Sequence, residues 1–173
     1  VADAFLQAAV SGDYIGEMIH QLAAEARRHH VRHGRFLVGD VTCLPEHRLL
    51  TGGAFDAAAF LLSIQDINPL EEALEEAARL LRPGGRLAMV MLHPCFRIPR
   101  QSGWGWDEDR GLKFRRLDSY LSRLAIPMQA HGQGTTRSYH RPLGDYVTAL
   151  YAAGLAVTGI KEVADLTAQQ NGR

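Results

Sequence analysis

The chain has 173 residues, which suits one domain with room for a sizeable core. With 46% hydrophobic residues, 22% charged residues and zero formal net charge, it lacks the basic field that nucleic-acid or anionic-membrane binding draws on, and no apolar run approaches the roughly 20 residues that span a bilayer. Val1–Ala9 has neither the basic start nor the apolar stretch of a signal peptide, and two cysteines, Cys43 and Cys95, can pair at most once, so a reducing cytoplasm is the expected compartment.

Taken in chain order, apolar runs of strand length alternate with stretches of helical period. A short run around Ala8–Asp13 leads into a helix with Met18, Ile19, Leu22, Ala23 and Ala26 on one face. The basic run Arg27-Arg28-His29-His30 suits the negative end of that helix's dipole, and Gly34 marks the exit. Phe36-Leu37-Val38 reads as a buried strand closed by Gly39-Asp40, and Phe55–Ile64 is a longer one. Asn68-Pro69 then reads as a helix start, Asn as cap and Pro at the first position, with Leu70, Leu74, Ala77, Ala78 and Leu81 as the buried stripe. Pro83-Gly84-Gly85 stops that helix, and Leu87–Leu92 is another apolar strand. Continuously apolar strands separated by helices predict an α/β fold, a doubly wound and mainly parallel sheet with helices on both faces.

Residues 96–140 break the alternation and form an insertion in a single domain spanning 1–173. The insertion is rich in Gly, Arg and aromatic residues, and one short helix is expected near Leu117–Leu124. A last helix is predicted from Pro142 to Ala153, with Leu143, Tyr146, Val147, Leu150 and Tyr151 inward and Gly154 as its C-cap. Leu155–Ile160 reads as a further strand, and the tail from Ala164 carries no periodic signal.

In an open α/β sheet, ligands bind beyond the carboxyl ends of the strands, so the residues just after each run carry the information. Asp13 can accept from both hydroxyls of a ribose, or serve as a helix cap. Asp40 can accept from an exocyclic amine while the Val41 N–H serves a ring nitrogen, or it can form an Asx turn. His93 and His140 are candidate general bases, or hydrogen-bonded structural histidines. His29 and His33 have the i, i+4 spacing of metal ligands but no carboxylate or cysteine beside them, so no metal is expected.

Several of these segments together resemble the class I S-adenosylmethionine-dependent methyltransferases. Gly12-Asp13-Tyr14-Ile15-Gly16-Glu17-Met18 is similar to the segment after the family's second strand, and Phe36–Pro45 to the next one. Phe55-Asp56-Ala57-Ala58 resembles the start of the fourth strand, and the helix ending Leu81-Arg82-Pro83-Gly84-Gly85 before a strand is the most specific match. The resemblance implies a Rossmann-like fold, S-adenosylmethionine as cofactor, and methyl transfer to a small-molecule acceptor, with Asp13 and Tyr14 on the ribose, Asp40 and Val41 on adenine, and Ser63 nearby.

It also implies that the insertion covers the substrate, with Arg97, Trp104, Trp106, Tyr120 and Arg141 as substrate-binding candidates. The aromatic residues there can equally form a satellite core under a long loop. The expected partner is a small molecule rather than nucleic acid or membrane, and a homodimer is the oligomer considered. The family's glycine-rich first motif has no counterpart among the residues before Val10, so the chain reads as part of a longer protein or an unusual variant. Two other readings stay open: a non-catalytic methyltransferase-like module that binds a protein partner, and a nicotinamide-dependent enzyme. The Leu-Arg-Pro-Gly-Gly turn speaks against the second.

Overall fold

The computed structural model describes residues 28, 39–44, 50, 52–96, 102–129 and 135–163. Strand β1, Phe55–Leu61, runs parallel to β2, Leu81–Val90, and helix α1, Leu70–Leu80, connects them. This βαβ unit is the heart of the predicted parallel sheet. Helix α1 turns Leu70, Ala73, Leu74, Ala77 and Leu80 inward. Glu71 and Glu72 in its first turn and Arg79 in its last complement the helix dipole.

Helix α1 stops at Leu80, and the chain enters the sheet at once, because Leu81 already pairs with Phe55. The next matched pair is Ala57 with Arg86, so Arg82–Gly85 bulge out between two registers. Two glycines allow the bulge. Gly84 has φ of +77°, where a β-carbon is strained. A Cβ on Gly85 would lie 2.9 Å from the Arg82 carbonyl oxygen and 3.2 Å from that of Asp56, both of them backbone atoms. The Arg82 guanidinium bridges back to Asp56 at 2.5 Å.

A second helix, α2, Leu143–Ala152, packs on α1. Its C-terminus is closed by paired bonds around Gly154, at φ +77°: Leu155 N–H to the Leu150 carbonyl and Gly154 N–H to that of Tyr151. The core gathers Val41, Phe60, Ile64, Ile67, Leu70, Ala73, Leu74 and Ala77 with Tyr146, Ala149 and Leu150 from α2. Leu87 and Met89 of β2 pack against it from the sheet.

Of the two helical layers expected, the described residues include the one formed by α1 and the helix that packs on it; the helix expected through Met18 and Ala26 lies outside the described residues. On the other face of the β1–β2 pair Ala57, Ala59, Leu61, Ala88 and Val90 are exposed. Several expectations need correction. Val147 and Tyr151 point outward, the latter 81% exposed, because α2 buries a narrow stripe through Tyr146, Ala149 and Leu150. Leu155–Ile160 forms no strand, since no described strand lies beside it to pair with.

The insertion is two antiparallel hairpins rather than a loop with a helix: β3, Ser102–Asp107, with β4, Leu112–Leu117, and β5, Leu124–Gln129, with β6, Thr135–His140. The expected helix near Leu117–Leu124 is instead a turn with Ser119 at φ +55° and Ser122 N–H bonded to the Ser119 carbonyl. Alternation at period two, visible in Gly103-Trp104-Gly105-Trp106, wins over the helical spacing.

Candidate active site at the carboxyl ends of the parallel strands

At the end of β1 the ladder continues one step, with Leu62 N–H donating to the Val90 carbonyl at 2.7 Å. Leu62 then takes a positive φ of 49°, a costly conformation for a residue with a β-carbon. The chain folds into a single 3-10 turn, Ile64–Asp66. Ile64 and Ile67 are buried and clamp the turn to the core, while Gln65 Nε2 donates to the Leu62 carbonyl at 2.6 Å. Backbone strain held at a strand's carboxyl end by packing on both sides is a common mark of a working site. Ser63 stands at this corner, half-buried, and its hydroxyl makes no capping bond to the turn.

Val41 is buried in the core cluster that holds Phe60 and Ile64, so the turn that carries it packs on the same core as the corner after β1. Asp40 is exposed. Its Oδ1 accepts from Thr42 N–H at 2.9 Å and from the Thr42 hydroxyl at 2.7 Å. The Asx-turn geometry weighed against a ligand role is therefore present, and it uses one oxygen only. Among the described residues, Oδ2 has no partner, and the Val41 N–H meets no acceptor. An acceptor and a donor side by side are the pair an adenine edge requires. Asp13 and Tyr14, the expected ribose contacts, lie outside the described residues.

His93 follows the end of β2. Its Nδ1 accepts from Cys95 N–H at 3.1 Å, which leaves the proton on Nε2. Nε2 lies 2.7 Å from Glu162 Oε1, but off the N–H direction, so the contact is an ion-pair approach rather than a formed hydrogen bond. In this arrangement His93 offers no open lone pair. His140 is buried, and its Nε2 lies 2.8 Å from the Tyr120 carbonyl, an acceptor, so that nitrogen must carry the proton. Nδ1 is then the basic atom of His140.

The residues expected to bind substrate separate into two places. Tyr120, His140 and Arg141 come together at the N-terminus of α2. The Tyr120 hydroxyl accepts from Leu143 N–H at 3.1 Å, which satisfies one of the helix's open donors. Arg141 is only 6% exposed. Its Nη2 donates to the Ile67 carbonyl at 2.9 Å and to Asn68 Oδ1 at 2.8 Å, joining α2 to the turn after β1. Asn68 is therefore not the cap of α1; Pro69 holds that position and the amide is spent on Arg141. Tyr139 faces the guanidinium, with its ring centroid 5.2 Å from Cζ.

Tyr146 is buried beside Arg141. Desolvation raises its hydroxyl pKa above the usual 10.0, and the Arg141 charge pulls the other way. Neither Asn68, Tyr139 nor Tyr146 was marked by sequence as a site residue. Asn68 reads as a cap and Tyr146 as core, and only the meeting of segments 73 positions apart gives them a polar role.

Trp104 and Trp106 stand instead on the β3–β4 hairpin, 65% and 61% exposed. Lys113 and Arg115 from the paired strand lie over the Trp104 ring, at 4.7 and 5.2 Å. Arg115 also donates to the Phe96 carbonyl, which ties the hairpin to the turn after β2. Arg97 lies outside the described residues. Among the described residues there is no group of three metal-ligating side chains, and no helix is long and apolar enough to cross a membrane.

Comparison with known proteins identifies the family and the fold. A family model described as a methyltransferase domain matches residues 2–89, just over half of the chain. The malonyl-[acyl-carrier protein] O-methyltransferase of Enterobacter lignolyticus is 30% identical over 149 residues, covering 82% of this chain and 55% of the relative. The demethylmenaquinone methyltransferase of Renibacterium salmoninarum is 34% identical over 62 residues, 35% of this chain and 24% of that protein. The chain thus spans about half the length or less of these curated relatives. Among solved structures, an S-adenosylmethionine-dependent methyltransferase from Mesorhizobium loti superposes with a TM-score of 0.71 at 23% identity, over 97% of this chain and 71% of that one. At that identity the likeness establishes the fold, the Rossmann-like α/β arrangement expected from the strand pattern.

Proposed function

Because the chain belongs to the methyltransferase-domain family, we propose that the full-length protein transfers a methyl group from S-adenosylmethionine to a small-molecule acceptor by in-line displacement. The observation that supports this reading is that Val41 packs into the same core as Phe60 and Ile64, which flank the strained Leu62 after β1, within the segment the family model matches. Asp40 Oδ2 and the Val41 N–H would hold the adenine edge, Asp13 and Tyr14 the ribose, and Ser63 would stand near the methionine part. The bound sulfonium supplies an activated methyl group, so the protein's task is chiefly alignment and exclusion of water.

The two hairpins of residues 96–140 serve as the cover over the acceptor. His140, through Nδ1, is the better placed of the two histidines to take a proton from an acceptor that needs to lose one. His93, whose Nδ1 lone pair is taken by the Cys95 N–H, orients the segment after β2. The acceptor's small size is supported by the zero net charge and by the names of the two curated relatives.

Isothermal titration of the folded full-length protein with S-adenosylhomocysteine tests the cofactor site. Saturable one-to-one binding, lost when Asp13 and Asp40 are both replaced by Ala, is expected. Absence of binding by well-folded protein overturns the reading.

A further inference from the structure

We infer that the acceptor carries a carboxylate and that Arg141 is its anchor. This rests on the methyl-transfer reading and goes beyond it by naming the substrate class. Arg141 is only 6% exposed and its Nη1 is fully buried, so the charge has lost most of its hydration, and such a charge is normally balanced by an acid. Among the described residues, no acidic side chain lies within ion-pair distance of Arg141. Its partners among the described residues are the Ile67 carbonyl, the Asn68 amide oxygen, the Tyr139 ring and the neighbouring Tyr146 hydroxyl, all uncharged.

Both protons of Nη2 are taken by the two oxygens, whereas Nη1 is buried with no acceptor at all. The fold has therefore fixed the cation rigidly by one nitrogen and left the other unsatisfied. An orphaned donor on a desolvated charge costs several kcal/mol in order of magnitude unless a ligand completes it. A carboxylate supplies both missing parts, the acceptor and the counter-charge.

The position suits a substrate. Arg141 touches the turn that follows β1, on the carboxyl side of the parallel strands, where this fold binds ligands. Tyr139 on β6 covers the guanidinium, so entry requires the β5–β6 hairpin to lift, which matches a covering role for the insertion. The neighbouring Tyr146 hydroxyl stays neutral to high pH and can donate to the same anion.

The test uses the full-length protein, with and without S-adenosylhomocysteine, titrated with paired probes: succinate against succinamide and benzoate against benzamide. Sulfate serves as the non-planar anion. Wild type is expected to bind at least one carboxylate ten-fold or more tighter than its amide and tighter than sulfate. Arg141→Met should abolish that preference and Arg141→Lys should keep part of it, while S-adenosylhomocysteine binds all three proteins alike.

Equal binding of acids and amides by wild type overturns the proposal, as does an unchanged carboxylate preference in Arg141→Met. A preference for sulfate would assign the site to a tetrahedral anion and overturn it too. If Arg141→Met fails to fold, the wild-type probe pairs and Arg141→Lys decide. Loss of S-adenosylhomocysteine binding in wild type would sink the methyl-transfer reading instead, and the carboxylate titration without it still reads the anchor.

Discussion

Replacing Asp40 by asparagine separates its two oxygens. Oδ1 holds the turn through Thr42 N–H and the Thr42 hydroxyl, at 2.9 and 2.7 Å, and an asparagine carbonyl can accept both bonds. Stability of Asp40→Asn should stay within about 0.5 kcal/mol of wild type, as for an exposed change that breaks nothing. The charge facing the ligand is lost. The atom at the Oδ2 position becomes an NH2, which donates and cannot accept from the adenine amine; a hydrogen bond to a charged group contributes about 1.5–3 kcal/mol, so cofactor affinity should fall by about that much, on the order of ten- to a hundred-fold. Asp40→Ala removes the turn bonds as well, and should cost about 1 kcal/mol of stability in addition to the affinity. Titration with S-adenosylhomocysteine gives the affinities and urea unfolding gives the stabilities. Asparagine binding as tightly as aspartate would refute a ligand role for Oδ2; equal destabilisation by Asn and Ala would refute the assignment of the turn to Oδ1.

Three further outcomes follow from the fold. Gly85→Ala drives a Cβ against two carbonyl oxygens at 2.9 and 3.2 Å that belong to the backbone and cannot swing aside, so urea unfolding should show a loss of about 1–3 kcal/mol. Gly103→Ala, in open space on β3, should change stability by less than 1 kcal/mol in the same assay. Leu74→Ala, at a fully buried position of α1, should cost about 2–5 kcal/mol.

The pH dependence of stability gives a further outcome. The Tyr146 pKa is higher folded than unfolded, so its contribution is complete below about pH 10, the unfolded value, and is lost as pH rises toward the folded one. Tyr146→Phe should therefore show a shallower loss of stability above pH 10 than wild type. Parallel curves would contradict the burial effect.

What the sequence made legible follows from short-range physics. The spacing of Leu70, Leu74 and Ala77 marks α1, and Pro-Gly-Gly marks its return into the sheet, because a bulge that brings backbone to backbone needs residues without a β-carbon. Gly154 marks the end of α2 for a similar reason. The insertion was misread because Leu117, Tyr120, Leu121 and Leu124 sit at helical spacing, while pairing of β5 with β6 and a left-handed Ser119 override it. At the proposed site, Asp40, Val41 and Ser63 are marked in the sequence because they stand where apolar runs end. The polar cluster of Asn68, Tyr139, Arg141 and Tyr146 was not. It depends on how α2 and β6 meet the turn after β1, and no local pattern encodes that meeting. The sequence did mark Arg141 as a substrate-binding candidate, but its burial and its unsatisfied nitrogen are visible only in the folded chain.

The central claim, that a cofactor lies along the carboxyl rim of the parallel strands, is most directly tested by a crystal structure of the full-length protein with S-adenosylhomocysteine. The account predicts the adenine within hydrogen-bond distance of Asp40 Oδ2 and the Val41 N–H, and the sulfur directed toward the Leu62–Ser63 corner. A nucleoside bound elsewhere, with Asp40 facing solvent, would contradict it.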